Sequence, residues 1–304
     1  MPAKTTHAAG SRIDRACRVL RSTLLPLAVR ATLQRNRVTI LLYHRPAPET
    51  FRRHVQALEK AYNLISLEAF IDALERSAVA ELPPRSLVLT FDDGHRSNAE
   101  LADTIRKLSA PPTIFLCSGV IGTPDAFWFD VVPDPEALKP LPDGERLRLV
   151  ADAEAASGRG ERAALSRQEI DGLRPYADLQ SHTVSHPILP RCSEEKAARE
   201  LADSRADLER GYGLRIYALA YPNGSYTERE VRLAKRAGYR CALTVDPGFN
   251  GPNADPFRLK RILINDDQDG ENVALVKACG IWDAWRFLRR GRRQHAGSDG
   301  TADP

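Results

Sequence analysis

The apolar positions of this chain alternate between short unbroken runs and stretches in which every third or fourth residue is apolar. Val38-Thr39-Ile40-Leu41-Leu42-Tyr43 and Ser86-Leu87-Val88-Leu89-Thr90-Phe91 are unbroken runs rich in β-branched and large apolar side chains, which is how strands buried on both faces read. Shorter strands are predicted over 113–117, near Asp178-Leu179-Gln180, and over 216–221, 241–245 and 258–264. Between them the period lengthens. Phe51, Val55, Leu58 and Tyr62 predict a helix over 50–62, and Leu101, Ile105 and Leu108 predict another. Ser66 stands as the N-cap of a helix through Phe70, Ala73 and Leu74, Ser166 as a helix start, and Ser193 as the cap of a long helix over 194–210. Thr227 and Glu230 have the spacing of a capping box. Strand and helix alternate through most of the chain, which predicts an α/β fold with parallel strands and helices outside them, as a barrel or an open sheet.

The pattern lapses over 122–165, where Pro, Gly, Asp and charged residues surround one aromatic group, Phe127-Trp128-Phe129. This segment reads as an inserted loop with a short helix. The expected organisation is a basic leader over 1–37, a domain over 38–288 carrying that insertion, and a polar disordered tail over 289–304.

Composition narrows the class. With 304 residues, 42% hydrophobic and 28% charged, the chain can bury a full core. The net charge of +4 comes without any zinc-finger, homeodomain or RNA-recognition pattern, so no nucleic-acid partner is expected. The five cysteines are far apart and form no C-x-x-C pair, which argues against a disulfide framework and fits a cytoplasmic setting. No run approaches the ~20 apolar residues of a membrane span. Residues 13–33 mix Arg with Leu and Val at helical spacing, which fits either a helix packed on the domain or one lying on a membrane surface. Arg21, Arg30, Arg35 and Arg37 near one end and Arg286, Arg289, Arg290, Arg292 and Arg293 near the other would favour peripheral contact with an anionic membrane at its inner face.

The chemistry sits where strands end. Thr90-Phe91-Asp92-Asp93-Gly94 places two adjacent carboxylates directly after a buried strand, and in parallel α/β folds such strand ends open onto the active site. An ordinary turn also favours Asp and Gly. Ser181-His182-Thr183-Val184-Ser185-His186-Pro187 carries two imidazoles four residues apart after a short strand. On a helical turn they would share a face, so both could bind one ion. Two imidazoles and one carboxylate leave a position open for water, as catalytic zinc sites require. Ala220-Tyr221-Pro222-Asn223-Gly224 ends another strand in a tight turn, whose backbone N–H groups could meet an oxyanion.

Together TFDDG, SHTVSH and AYPNG, in that order, resemble the polysaccharide deacetylase family, the NodB homology domain of carbohydrate esterase family 4. The likeness extends to LLYHRPAP, ELADSRADLE and LKRILI, and covers about residues 38 to 270. The resemblance implies a distorted (β/α) barrel, and a hydrolase that removes an N-acyl group, acetyl first, from an N-acetylated sugar in a glycan or glycolipid precursor. It implies a divalent metal, Zn2+ first, held by Asp93, His182 and His186. Asp92 becomes the general base, and N–H groups near Tyr221 or Asn223 the oxyanion donors. Two positions depart from the family pattern. Where many members open the third motif with an arginine that orients the base, this chain has Ala220, and Arg261 is the candidate substitute. Where many have a Leu-x-His whose histidine protonates the leaving amine, this chain has Leu263-Ile264-Asn265. His44 and His95 are the candidate acids, with His44 favoured, and Asp92 acting as base and then acid is the alternative. Other readings are a deformylase or non-sugar amidohydrolase of the same fold, and a carbohydrate-binding protein without turnover.

Overall fold

The computed structural model describes residues 13–281 except 21, 24, 33, 158–160 and 267. The start of the leader, the Arg286–Arg293 cluster and the polar tail lie outside the described residues.

Among the described residues, eight parallel strands form one curled sheet in the order β7-β6-β5-β4-β3-β1-β8, with β2 paired to β3. They are β1 (Thr39–Tyr43), β2 (Asn63–Leu64), β3 (Ser86–Phe91), β4 (Thr113–Leu116), β5 (Asp178–Ser181), β6 (Ala218–Ala220), β7 (Cys241–Leu243) and β8 (Ile262–Leu263). The segment leading into β8 closes the ring. The Leu259 N–H donates to Ala242 O and the Thr244 N–H to Leu259 O, and three residues later Ile262 pairs with Leu41 of β1. The result is a distorted barrel, as the family resemblance implies. β2 is too short to show in the apolar pattern.

Strand side chains alternate between two cores, as a two-residue period demands. Leu41, Tyr43, Leu87, Leu89, Phe91, Ile114, Leu116 and Leu179 face outward. They join the helices through residues such as Phe51, Val55, Leu58, Leu201, Leu208 and Val231. Ile40, Val88, Phe115, Ala218, Ala220, Cys241, Leu243 and Leu259 face into the barrel, where Leu67, Phe70 and Ile71 of the helix Leu67–Glu75 plug one end. The same parity carries Thr90 and Asp92, Gln180 and His182, and Leu259 and Arg261 inward.

The capping residues act as their types require. Ser66 Oγ accepts from the Ala69 N–H, while Ser166 with Glu169 and Thr227 with Glu230 form full capping boxes. The long helix is Glu194–Tyr212, two residues beyond its predicted end, and stops at Gly213 with φ +62°. The helix expected around Leu101 is a 3-10 turn, Arg96–Leu101, that widens into the α-helix Ala102–Ile105. The insertion holds more helix than its composition indicates: Trp128–Val131, Pro135–Leu138 and the fifteen-residue Asp143–Ser157.

Residues 13–33 are not one amphipathic helix. A helix over 13–20 is interrupted at Ser22 and Thr23 before Leu25–Thr32. Cys17 of the first piece is buried against Val273 and Val276 of the helix Glu271–Ala278, so this piece packs on the domain. Among the described residues no helix is long and apolar enough to cross a membrane.

Candidate active site

The C-terminal ends of β1, β3, β5 and β6 surround a cleft of about 300 Å³ whose lining includes His44, Asp92, Asp93, His182, His186 and Asn223. Asp92 continues the inward parity of β3. Asp93 would then point outward, but its φ of +71° turns the chain so that both carboxylates reach the cleft. Gly94 completes the turn at φ +68°, and a Cβ there would lie 2.6 Å from Leu116 Cδ2, so any side chain at the third position of the Asp-Asp-Gly turn would strain the backbone and displace Leu116.

His182 and His186 do not lie on a helical turn, contrary to the spacing argument. The segment after β5 is an irregular turn with Thr183 at φ +71° and His186 at φ +55°. The His186 N–H donates to Thr183 Oγ1. A carboxylate that sequence reasoning missed holds the rest. Glu200 accepts from the backbone N–H groups of Val184 and Ser185, each at 2.9 Å, and from the Ser185 hydroxyl at 2.6 Å. The signal was present: Ala197, Leu201, Ser204 and Leu208 form the buried stripe of that helix, and Glu200 is an acid within it. Such a residue must find donors when buried.

Three ligand atoms converge. His182 Nε2 and His186 Nε2 each lie 3.5 Å from Asp93 Oδ1, and all three residues are buried. Donors about 2.0–2.1 Å from one ion at tetrahedral angles lie about 3.4 Å apart, so the spacing fits a shared cation better than direct hydrogen bonds. The His182 Nδ1 is 2.8 Å from Ala220 O, which leaves Nε2 free to ligate, as the outer contact of a metal-binding histidine should. The electrostatics agree. Burial alone would push the Asp93 carboxyl up, but the two histidines hold it well below the usual carboxylate range. Burial likewise opposes charge on His182, yet Asp92 and Asp93 raise it above its ordinary value. His186 is pushed down to about 3, chiefly by burial. The pocket thus draws positive charge between its carboxylates and keeps a neutral imidazole beside it.

Arg261, the candidate substitute for the arginine absent at Ala220, reaches Asp92. It reaches through the barrel interior with its side chain fully buried. Nη1 donates to Asp92 Oδ1 and Nη2 to Oδ2, both at 2.7 Å, and Nε donates to Thr244 O. Burial would raise the Asp92 carboxyl, but this fork and His182 outweigh it and keep the group below its ordinary value.

The candidate acids separate. His44 lines the cleft, and Asp266 accepts from the backbone N–H groups of His44 and Arg45. His95 does not line it: its ring stacks on Phe127 and its Nδ1 caps the next turn at Ser97. Asn265 gives its N–H to Asp269 Oδ2. Tyr221 is a correction. Its N–H is spent on Leu243 O within the sheet, and its buried hydroxyl donates to Phe257 O, so it offers the cleft no donor. Asn223 lines the cleft at φ +55°, and its Nδ2 is buried without a partner among the described residues.

The insertion supplies the far wall. Trp128, Phe129, Pro135, Glu136 and Lys139 all line the cleft, and Arg45 is tied to Asp130 at 3.0 Å.

Comparison with known proteins gives a consistent picture. A family model for polysaccharide deacetylase matches residues 80–242. The chain is 24% identical over 232 residues to the poly-beta-1,6-N-acetyl-D-glucosamine N-deacetylase of Staphylococcus epidermidis, covering 72% of this chain and 68% of that protein. The deacetylase PplD of Streptococcus pyogenes, solved with acetate, superposes with a TM-score of 0.59 at 22% identity, over 78% of this chain and 96% of that one. IcaB from Ammonifex degensii superposes with a TM-score of 0.60 at 19% identity, over 80% and 97%. At such identities the two structures speak for the fold.

Proposed function

Because the chain belongs to the polysaccharide deacetylase family, and so is a hydrolase of carbon–nitrogen bonds, we propose that it removes the N-acetyl group of an N-acetylated sugar in a glycan or glycolipid precursor. The observation that carries this reading is the convergence of Asp93, His182 and His186 beside an Asp92 clamped by Arg261. The donor set of one carboxylate and two imidazoles suits a divalent ion, zinc first. A bound ion would supply Lewis-acid polarisation of the acyl carbonyl and a water of lowered pKa.

The protein's own groups do the rest. Asp92 is ionised at neutral pH and aimed by Arg261, so it takes the proton from the attacking water. Asn223 Nδ2 offers a donor to the oxygen that gains charge. The departing amine must be protonated, and His44 is the histidine lining the cleft that is not in the ligand set.

Incubation with an N-acetylated oligosaccharide or glycolipid extract should release acetate, and stripping with a chelator should stop it until zinc is restored. Binding of the sugar with no acetate released, whether or not zinc is present, would leave a carbohydrate-binding protein and sink the reading. For His44, the variant His44→Gln should lose amide cleavage far more than cleavage of an activated ester whose leaving group needs no proton. Equal losses on both substrates would remove the acid role.

A further inference from the structure

The insertion buries an arginine that this reaction does not use. Arg146, on the helix Asp143–Ser157, is 1% exposed. Its Nη2 pairs with Asp143, while its Nε and Nη1 are buried without a partner among the described residues. Asp143 has a second cation, because Lys196 Nζ donates to its Oδ2 at 2.6 Å. A buried guanidinium with unmet donors costs stability, and an apolar side chain of similar volume commonly fills such a place as well or better. Packing alone is therefore a poor reason for this residue.

Its contacts supply another reason. Arg146 Cζ lies 5.1 Å from the centroid of the Trp128 ring. The Trp128 Nε1–H donates to the carbonyl of His186 at 2.9 Å. His186 sits at φ +55°, a conformation that a non-glycine residue keeps where its surroundings impose it. Phe129 meets the His186 ring edge-on at 4.9 Å between centroids. The contrast with His182 is informative. The His182 ring is oriented by a hydrogen bond from Nδ1 to Ala220 O, whereas the His186 Nδ1 has no partner among the described residues. The second imidazole therefore takes its orientation from its backbone and from ring packing. Thr183 Oγ1 holds its N–H and the His182 ring meets it edge-on, and the insertion adds the Trp128 bond to its carbonyl and the Phe129 ring.

We propose that Arg146, acting through Trp128, is a positioning residue for His186 as a metal ligand. The guanidinium holds the indole in place and, as a cation on the ring face, makes its N–H a stronger donor. The indole in turn holds the strained His186 peptide. The proposal rests on the metal reading of the site given above.

The test is calorimetric titration of the metal-stripped full chain with zinc, alongside the Tm of the metal-free protein. Loss of an outer partner of a metal ligand typically weakens binding ~10–100-fold. Trp128→Phe, which keeps a ring and loses the N–H, should raise the zinc Kd about tenfold or more. Arg146→Met should raise it about tenfold while the metal-free Tm holds or rises, since the unmet buried charge is gone. Arg146→Lys should recover part of the affinity. Wild-type zinc affinity in both Trp128→Phe and Arg146→Met would overturn the proposal. So would a lowered metal-free Tm in Arg146→Met with unchanged zinc affinity, which would make Arg146 a packing residue. A wild-type chain that takes up no zinc would instead overturn the metal reading itself, and the two failures are told apart by that control.

Discussion

The two ends of the barrel treat charge in opposite ways. At the N-terminal end, Leu67, Phe70 and Ile71 enter the interior as an apolar plug. The ion pairs there stay at the rim: Arg240 reaches Asp72 and Glu75 at 2.6 Å, Arg215 pairs with Glu68, and both guanidinium groups pack on Tyr217. At the C-terminal end, Asp92, Asp93, His182, His186 and Arg261 are each 6% exposed or less. Burying apolar rings stabilises, and rim pairs in solvent add little. Desolvated ions cost stability unless each finds a partner. One end thus contributes to holding the barrel together, and the other holds reactive groups in place at a cost that the fold offsets.

If this division is right, substitutions at the two ends should separate activity from stability. The largest effect expected is on activity. Asp92→Asn keeps the shape of the side chain and removes the proton acceptor, so deacetylation should fall ~10²–10⁴-fold, with zinc content close to wild type and a smaller fall in Tm, because the buried Arg261 loses its charged partner. Turnover at the wild-type rate would strip Asp92 of its role. Next comes the plug. Phe70→Ala should lower stability in urea unfolding by about 3–5 kcal/mol and leave the zinc affinity of the folded fraction unchanged. A loss of zinc affinity to match would show that the two ends are coupled.

The third effect is a pH dependence near the C-terminal end. Burial, with Arg45 nearby, pushes His95 down to about 4. The unfolded chain takes up this proton near the ordinary value of about 6.5. The contribution of His95 to stability is therefore complete above about 6.5 and is lost as pH falls from there toward 4. His95→Gln should flatten the fall of Tm over that window, and an unchanged slope would contradict the shift. The smallest effect is at the rim of the plugged end. Arg240→Gln breaks pairs whose guanidinium is 29% exposed, so it should cost no more than about 1 kcal/mol and shift Tm less in high salt than in low. A larger loss would mean that the rim network, and not the plug, holds that end.

Much of the fold was legible along the chain because local periodicity and cap chemistry report local structure. The run 86–91 is β3 residue for residue, and Ser66, Ser166, Ser193 and Thr227 cap the helices they were expected to cap. The sequence of the insertion shows no clear apolar stripe for its longest helix, and in the structure that helix buries Arg146 while Leu147 is 45% exposed. That inversion follows from what the helix packs on, which no window of sequence contains.

The site divides in the same way. The sequence by itself determined which residues were candidates for the cleft, since Asp92, Asp93, His182 and His186 stand at or just after the ends of predicted strands and in recognisable motifs, and all four line it. The tertiary structure alone decided how they are held. Arg261 meets Asp92 across 169 positions of sequence because closure of the barrel brings the segment before β8 alongside β7 and β1. Glu200 shapes the histidine turn from a helix that follows it, and the Tyr221 N–H is removed from the cleft by its pairing with Leu243. Residue type and spacing are properties of the chain. Which donor faces which acceptor depends on strand register and on ring closure, and these are settled only when distant segments compete for the same buried hydrogen bonds.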